Sequence, residues 1–185
     1  MARHGATRHF VSTVDDIAWI TNLRGSDVAY NPVFLAHLLI GPDRAQLFVG
    51  AGKVPEALRA ELAADGITVE PYEQAAAALG RLGEEDLLLI DPKRVTLGFR
   101  ECVPPGCRVV EAINPSTLLK SRKSAEEAAF VRAAMAEDGA AMCIFYAEFE
   151  ASLARGERWT ELTIDERLSA ARAARPGFVG PSGGP

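Results

Sequence analysis

The sequence predicts a layered α/β domain followed by a mostly helical segment, and three observations predict it. Apolar runs of strand length alternate with helical patterns from residue 9 to about residue 112, the rhythm of a sheet with helices packed on it. That rhythm stops at Asn114-Pro115-Ser116, a loop signal. Beyond it, Val131, Met135, Met142, Phe145 and Phe149 recur at three-, four- and seven-residue spacing, one apolar stripe along a long helix.

The elements follow in order. Residues 9–13 (HFVST) read as a short strand, and Asp15 as the cap of a helix over DIAWITN, with Ile17 and Ile20 turned inward. A dense polar turn follows, NLRGSDVAYNPVF over residues 22–34. Residues 33–40 (VFLAHLLI) and 45–50 (AQLFVG) are apolar runs joined by GPDR, which predicts a hairpin. PEALRAELAAD is a helix, with Pro55 in its first turn and Gly66 at its stop. ITVEPY reads as a strand, EQAAAALGRL as a helix, and residues 86–91 (DLLLID) and 108–112 (RVVEA) as two further strands. In the second segment, Ser124 with Glu127 forms a capping box that opens the long helix, which ends near Gly156. Thr163 with Glu166 repeats the box and opens another helix through about Ala174. The closing RPGFVGPSGGP has three prolines, four glycines and no periodicity. Two helices and such a tail are short of a self-sufficient core.

Composition narrows the function. A net charge of -5 and a pI near 5.3 argue against a general nucleic-acid binder. No apolar run approaches the ~20 residues of a membrane span, and the first residues lack a signal-peptide core. Cys102, Cys107 and Cys143 then read as free thiols of a reducing cytoplasm. The expectation is a cytoplasmic protein with neither nucleic-acid nor membrane partners.

Common chemical motifs fail one by one. GAGKVP over residues 50–55 has Leu47 where a P-loop needs its first glycine and Val54 where it needs Ser or Thr; Pro55 replaces the third glycine of a dinucleotide loop. The stretch reads as a hairpin end. Cys102 and Cys107 flank a VPPG turn with no second ligand pair for zinc. His37 lies inside an apolar strand and reads as a hydrogen-bonded core or edge histidine. In the polar turn, spacing favours a self-satisfied structure, with Arg24 pairing Asp27 and Asn31 bonding backbone. Lys120 to Lys123 (KSRK) read as a solvated linker, and the Val131–Phe149 stripe as core.

Two segments carry more. DDIAWITNLRGSDVAYNPVFLAHLLI over residues 15–40 closely resembles the middle domain of three-domain Xaa-Pro aminopeptidases, metallopeptidases of the creatinase or pita-bread fold. INPSTLLKSRKSAEEAAFVRAAMAEDGAA resembles that family's linker and the first long helix of its catalytic domain; Lys123, Glu127 and Arg132 match its pattern, and Ser124 stands for an Asn-like cap. ELTIDERL and RPGFVGPS resemble the next helix and the approach to the first catalytic strand, and the resemblance breaks off after Ser182.

The resemblance implies a creatinase/prolidase N-terminal-like domain over residues 1–115, a mixed sheet flanked by helices. It implies two helices of an incomplete pita-bread domain over residues 116–185. The family removes an N-terminal residue that precedes proline, using two metal ions, usually Mn(II), to activate a bridging water. The resemblance gives the ligands as two aspartates, a histidine and two glutamates, all beyond this chain, and after Glu166 it holds no Asp, Glu or His. No catalytic residue, metal ligand or bound cofactor is therefore expected here, and peptide substrate only in a complete enzyme. Arg24, Asp27 and Asn31 are the candidates to line the substrate mouth or an interface. The alternative is a non-enzymatic binding module that forms a homodimer or pairs with a full-length homologue; a frameshift product is a third possibility.

Overall fold

The computed structural model describes residues 1–28, 31–178 and 180. The predicted break after Ser182 lies outside the described residues. The chain divides into two compact units, Met1–Asp27 with Val33–Ser121, and Val28–Pro32 with Arg122–Pro185.

In the first unit, β1 (Arg8–Val11), β2 (Ala36–Ile40), β3 (Ala45–Val49), β4 (Ile67–Pro71), β5 (Leu87–Ile90) and β6 (Arg108–Glu111) form one sheet in the order β4-β3-β2-β1-β5-β6. The β1/β2 and β2/β3 pairs are antiparallel, and β1/β5, β3/β4 and β5/β6 are parallel. The sheet is thus mixed, as expected. The 41–44 turn closes the predicted hairpin with a 2.8 Å bond from the Gly41 amide to the Arg44 carbonyl.

Successive strand residues point to opposite faces, and both faces are covered. Phe10, Leu39, Phe48, Leu88 and Ile90 pack with Ala75, Ala78 and Leu79 of α3 (Gln74–Leu79). Their chain neighbours Val11, Leu38, Leu47 and Val49 pack on the other side with Ile17 of α1 (Val14–Thr21) and Leu62 of α2 (Glu56–Ala64). A strand buried on both faces loses its polar alternation, which is why these runs look continuously apolar. Gly66, at φ 77°, supplies the left-handed turn between α2 and β4.

Several local expectations are corrected. The residue before α1 is Thr13, and Asp15 sits in the first turn. The Thr13 hydroxyl donates instead to Asp16 at 2.8 Å, because Asp16 turns inward and needs donors. Residues 50–55 end the β2–β3 hairpin, as expected. They lead from β3 into α2, and α2 crosses over to β4, which runs parallel to β3. Asn114-Pro115-Ser116 opens α5 (Pro115–Ser121) rather than a loop; proline suits a first helical position, where no amide partner is needed. A short α4 (Leu97–Glu101), capped by Thr96, carried no periodic signal.

Two buried imidazoles give this unit an acid response. The His37 Nδ1 lies 2.9 Å from the Ser12 hydroxyl, and its ring packs on Tyr72 and Phe99 with centroids 4.7 and 4.5 Å away. His9 Nδ1 donates to the Leu89 carbonyl at 3.0 Å. Burial lowers both below their ordinary 6.5, the Leu89 bond opposing only in part at His9. The unfolded chain therefore takes up these protons first as pH falls. Stability is full above about 6.5 and declines as pH drops beneath it. Thermal unfolding midpoints measured between about pH 7.5 and 5 are expected to fall, and His37→Gln to remove part of that decline.

The second unit contains a helical hairpin. The predicted capping box opens α6 (Ala125–Ala154): the Glu127 amide donates to the Ser124 hydroxyl at 3.1 Å and the Ser124 amide to the Glu127 carboxylate at 2.8 Å. α7 (Glu161–Ala173) starts three residues earlier than expected, with Thr160 and not Thr163 as its cap. Trp159 anchors that start, its ring 5.0 Å from Phe149 and edge-on to it. Arg167, Arg172 and Arg175 then bridge to Glu148, Asp138 and Glu137 at 2.8, 2.7 and 2.8 Å. The α6 stripe is core only in part: Phe145 is 5% exposed, whereas Val131 and Met135 are 50% and 61% exposed. α7 has 13 residues against the 30 of α6, and its last bridge, from Arg172, reaches Asp138.

Candidate functional site: the polar turn after α1

Helix α1 stops at Asn22, whose φ of 54° is left-handed, a conformation asparagine tolerates better than most residues. The freed carbonyls at a helix end attract cations. Arg24 answers them: its Nη1 donates to the Ala18 carbonyl at 3.0 Å and to the Leu23 carbonyl at 2.9 Å. Gly25 lets the two arms of the turn close, since a Cβ there would lie 2.7 Å from the Cβ of Phe34.

Asp27 joins the arms. Its amide donates to the Val33 carbonyl at 3.2 Å, and its Oδ2 accepts the Leu35 amide at 2.7 Å. The same oxygen pairs with the Lys53 ammonium. Lys53 and the Leu35 amide hold the Asp27 carboxyl below its ordinary range. The expected Arg24–Asp27 pair is therefore replaced by two separate interactions, Arg24 with helix carbonyls and Asp27 with Lys53. The Asn31 main-chain N–H donates to the Val28 carbonyl at 3.2 Å across an isolated antiparallel bridge.

Arg24 and Asp27 line one cleft of about 270 Å³, with Phe34, Val49, Val54 and Leu58 as its apolar wall and Lys53 at its rim. Asn31 is not part of that lining. Lys53 is the member that sequence reasoning missed. It lies 26 residues from Asp27, on the loop that reads as a hairpin end, and no local pattern pairs the two.

A metal centre does not fit these residues. Among the described residues, no group of three or more His, Cys, Asp or Glu converges. His9 and His37 are buried core residues, and the three cysteines are free thiols. No described helix is long and apolar enough to cross a membrane.

Comparison with known proteins places this arrangement. Residues 1–127 match the Creatinase/Prolidase N-terminal domain. The "Probable Xaa-Pro aminopeptidase P" of Coccidioides posadasii (strain RMSCC 757 / Silveira) is 33% identical over 185 residues, covering 92% of this chain and 29% of its own length. "Xaa-Pro aminopeptidase 1" of Dictyostelium discoideum is 31% identical over 183 residues, covering 97% and 29%. The chain thus spans less than a third of the length of these relatives. Among solved structures, X-prolyl aminopeptidase from Caenorhabditis elegans, a cytosolic enzyme with a di-nuclear active site, superposes with a TM-score of 0.90 at 20% identity, over 97% of this chain and 30% of that one. The prolidase of Pyrococcus horikoshii OT3 gives 0.57 at 17% identity, over 96% and 48%. The mixed six-stranded sheet and the match over residues 1–127 agree: this chain belongs to the creatinase/prolidase N-terminal domain family, and its relatives there are Xaa-Pro aminopeptidases.

Proposed function

We propose that this chain serves a metal-dependent Xaa-Pro aminopeptidase as its creatinase N-terminal-like part, residues 1–115, joined to the opening helices of the catalytic domain, residues 116–185. The observation that carries the reading is 33% identity across 92% of the chain to an Xaa-Pro aminopeptidase. In this role Arg24, Asp27 and Asn31 border the mouth through which peptide enters, as a shaped polar rim. The rim is built for position: Arg24 and Asp27 are committed to backbone and to Lys53, which suits a wall better than an acid, a base or a ligand. Two Mn(II) ions belong to the complete enzyme, which acts in the cytoplasm, as the C. elegans relative does.

The chain by itself does not hydrolyse peptides in this reading, because the side chains that grip paired cations are not among those described. Incubating the purified 185-residue chain with an Xaa-Pro peptide and Mn(II) is expected to release no N-terminal residue. Robust metal-dependent release would overturn the proposal.

Exposed apolar side chains on α6 favour a second reading, a binding or dimerisation module. Val131 and Met135, one turn apart on the α6 stripe, are 50% and 61% exposed, apolar exposure of the kind that marks association surfaces. Size exclusion with light scattering separates the two: a compact monomer counts against the module, and a stable dimer or a complex with a full-length homologue supports it.

A further inference from the structure

We infer that Lys53 is a positioning residue for the polar turn: from the loop between β3 and α2, its ammonium holds the Asp27 carboxylate where it receives the Leu35 amide, and so fixes the base of the turn. Three observations converge on it. Asp27 is the point where both arms meet: its main-chain N–H donates to the Val33 carbonyl and its carboxylate accepts the Leu35 amide. Lys53 reaches it from a different element, 26 residues away, and is itself oriented by its amide bond to the Gly50 carbonyl at 3.4 Å and by the left-handed Gly52, φ 78°. Gly25 leaves no slack on the opposite side, being packed against Phe34.

The charge logic admits no simpler partner. Arg24, the other cation lining the cleft, is spent on the carbonyls that end α1. Without Lys53, one carboxylate oxygen would keep only the Leu35 amide, and the side chain would be free to rotate towards water. With Lys53, the carboxylate stays ionised to a lower pH and stays put. The consequence for a peptide mouth rests on the function proposed above; the latch itself does not.

The test reads the Leu35 amide by NMR on the 185-residue chain, with no peptide present. As pH falls, the Leu35 amide shift is expected to follow the Asp27 carboxyl, with an inflection below the ordinary 3.8. Lys53→Met should move that inflection upward and speed Leu35 amide exchange about two- to fivefold, the range of an exposed ion pair. Lys53→Arg should restore both, and Asp27→Asn should abolish the inflection. A Leu35 amide that ignores Asp27, or an inflection that Lys53→Met leaves unmoved, overturns the assignment. A merely structural lysine would change stability without moving that inflection. The latch and the peptidase reading fail separately, since one is read on an amide and the other by hydrolysis.

Discussion

Replacing Phe10 with alanine is expected to destabilise the chain by about 3–5 kcal/mol, the cost of truncating a fully buried aromatic side chain. Phe10 is 0% exposed and sits on β1, between β2 and β5 in the sheet. Its ring lies 5.2 Å from that of Phe99 and 5.6 Å from that of His37, so the void opens against two aromatic neighbours that cannot easily collapse into it. For a domain whose total stability is about 5–15 kcal/mol, this is a large share. Urea unfolding followed by circular dichroism checks it. A loss under about 1 kcal/mol would mean that the site relaxes far more than a packed core should.

The second large effect belongs to Asp16. This carboxylate is 4% exposed, and burial alone would raise its pKa. Bonds from Thr13 at 2.8 Å and Asn114 at 3.2 Å, with Lys120 at 3.2 Å, outweigh burial and lower it instead. Asp16→Ala leaves three donors without their acceptor and should cost about 2–4 kcal/mol. The Lys120 side chain is 33% exposed, so water recovers part of its loss. Asp16→Asn, which keeps one acceptor oxygen, should cost less. The sign with pH follows from the direction of the shift. The folded pKa is depressed, so this stability is present above the unfolded value of 3.8 and is lost as pH falls through the lower folded value. Denaturant midpoints measured down through that range should fall in the wild type, with that component missing from Asp16→Asn. This window lies below the one set by His9 and His37, so the two acid responses can be told apart.

Neither effect was fully legible beforehand. Ile17 was expected to face inward and does, at 0% exposure, because helical spacing shows which residues share a face. A carboxylate near a helix start is a common cap, and that signal points to Asp15. Its neighbour Asp16 proved to be the inward one, drawn by Asn114, which is 98 residues away. No periodicity in residues 14–21 encodes that partner. The 50–55 loop does end the β2–β3 hairpin, but its glycines and proline punctuate the strand in the same way whether the chain next reverses or enters a crossover helix, so they do not show that β4 runs parallel to β3.

By itself, the sequence determined what depends on neighbours within a few residues. It determined the apolar strand runs, the β2–β3 hairpin through 41–44, and the Ser124–Glu127 box, since each of these is closed by hydrogen bonds or faces only a short step apart. The tertiary structure alone decided the strand order, with β1 antiparallel to β2 and parallel to β5, and the distant partners, Asn114 for Asp16 and Lys53 for Asp27. Those choices close loops of tens of residues, and the energy that rewards them is gained only when distant groups meet in a packed interior, away from competing water.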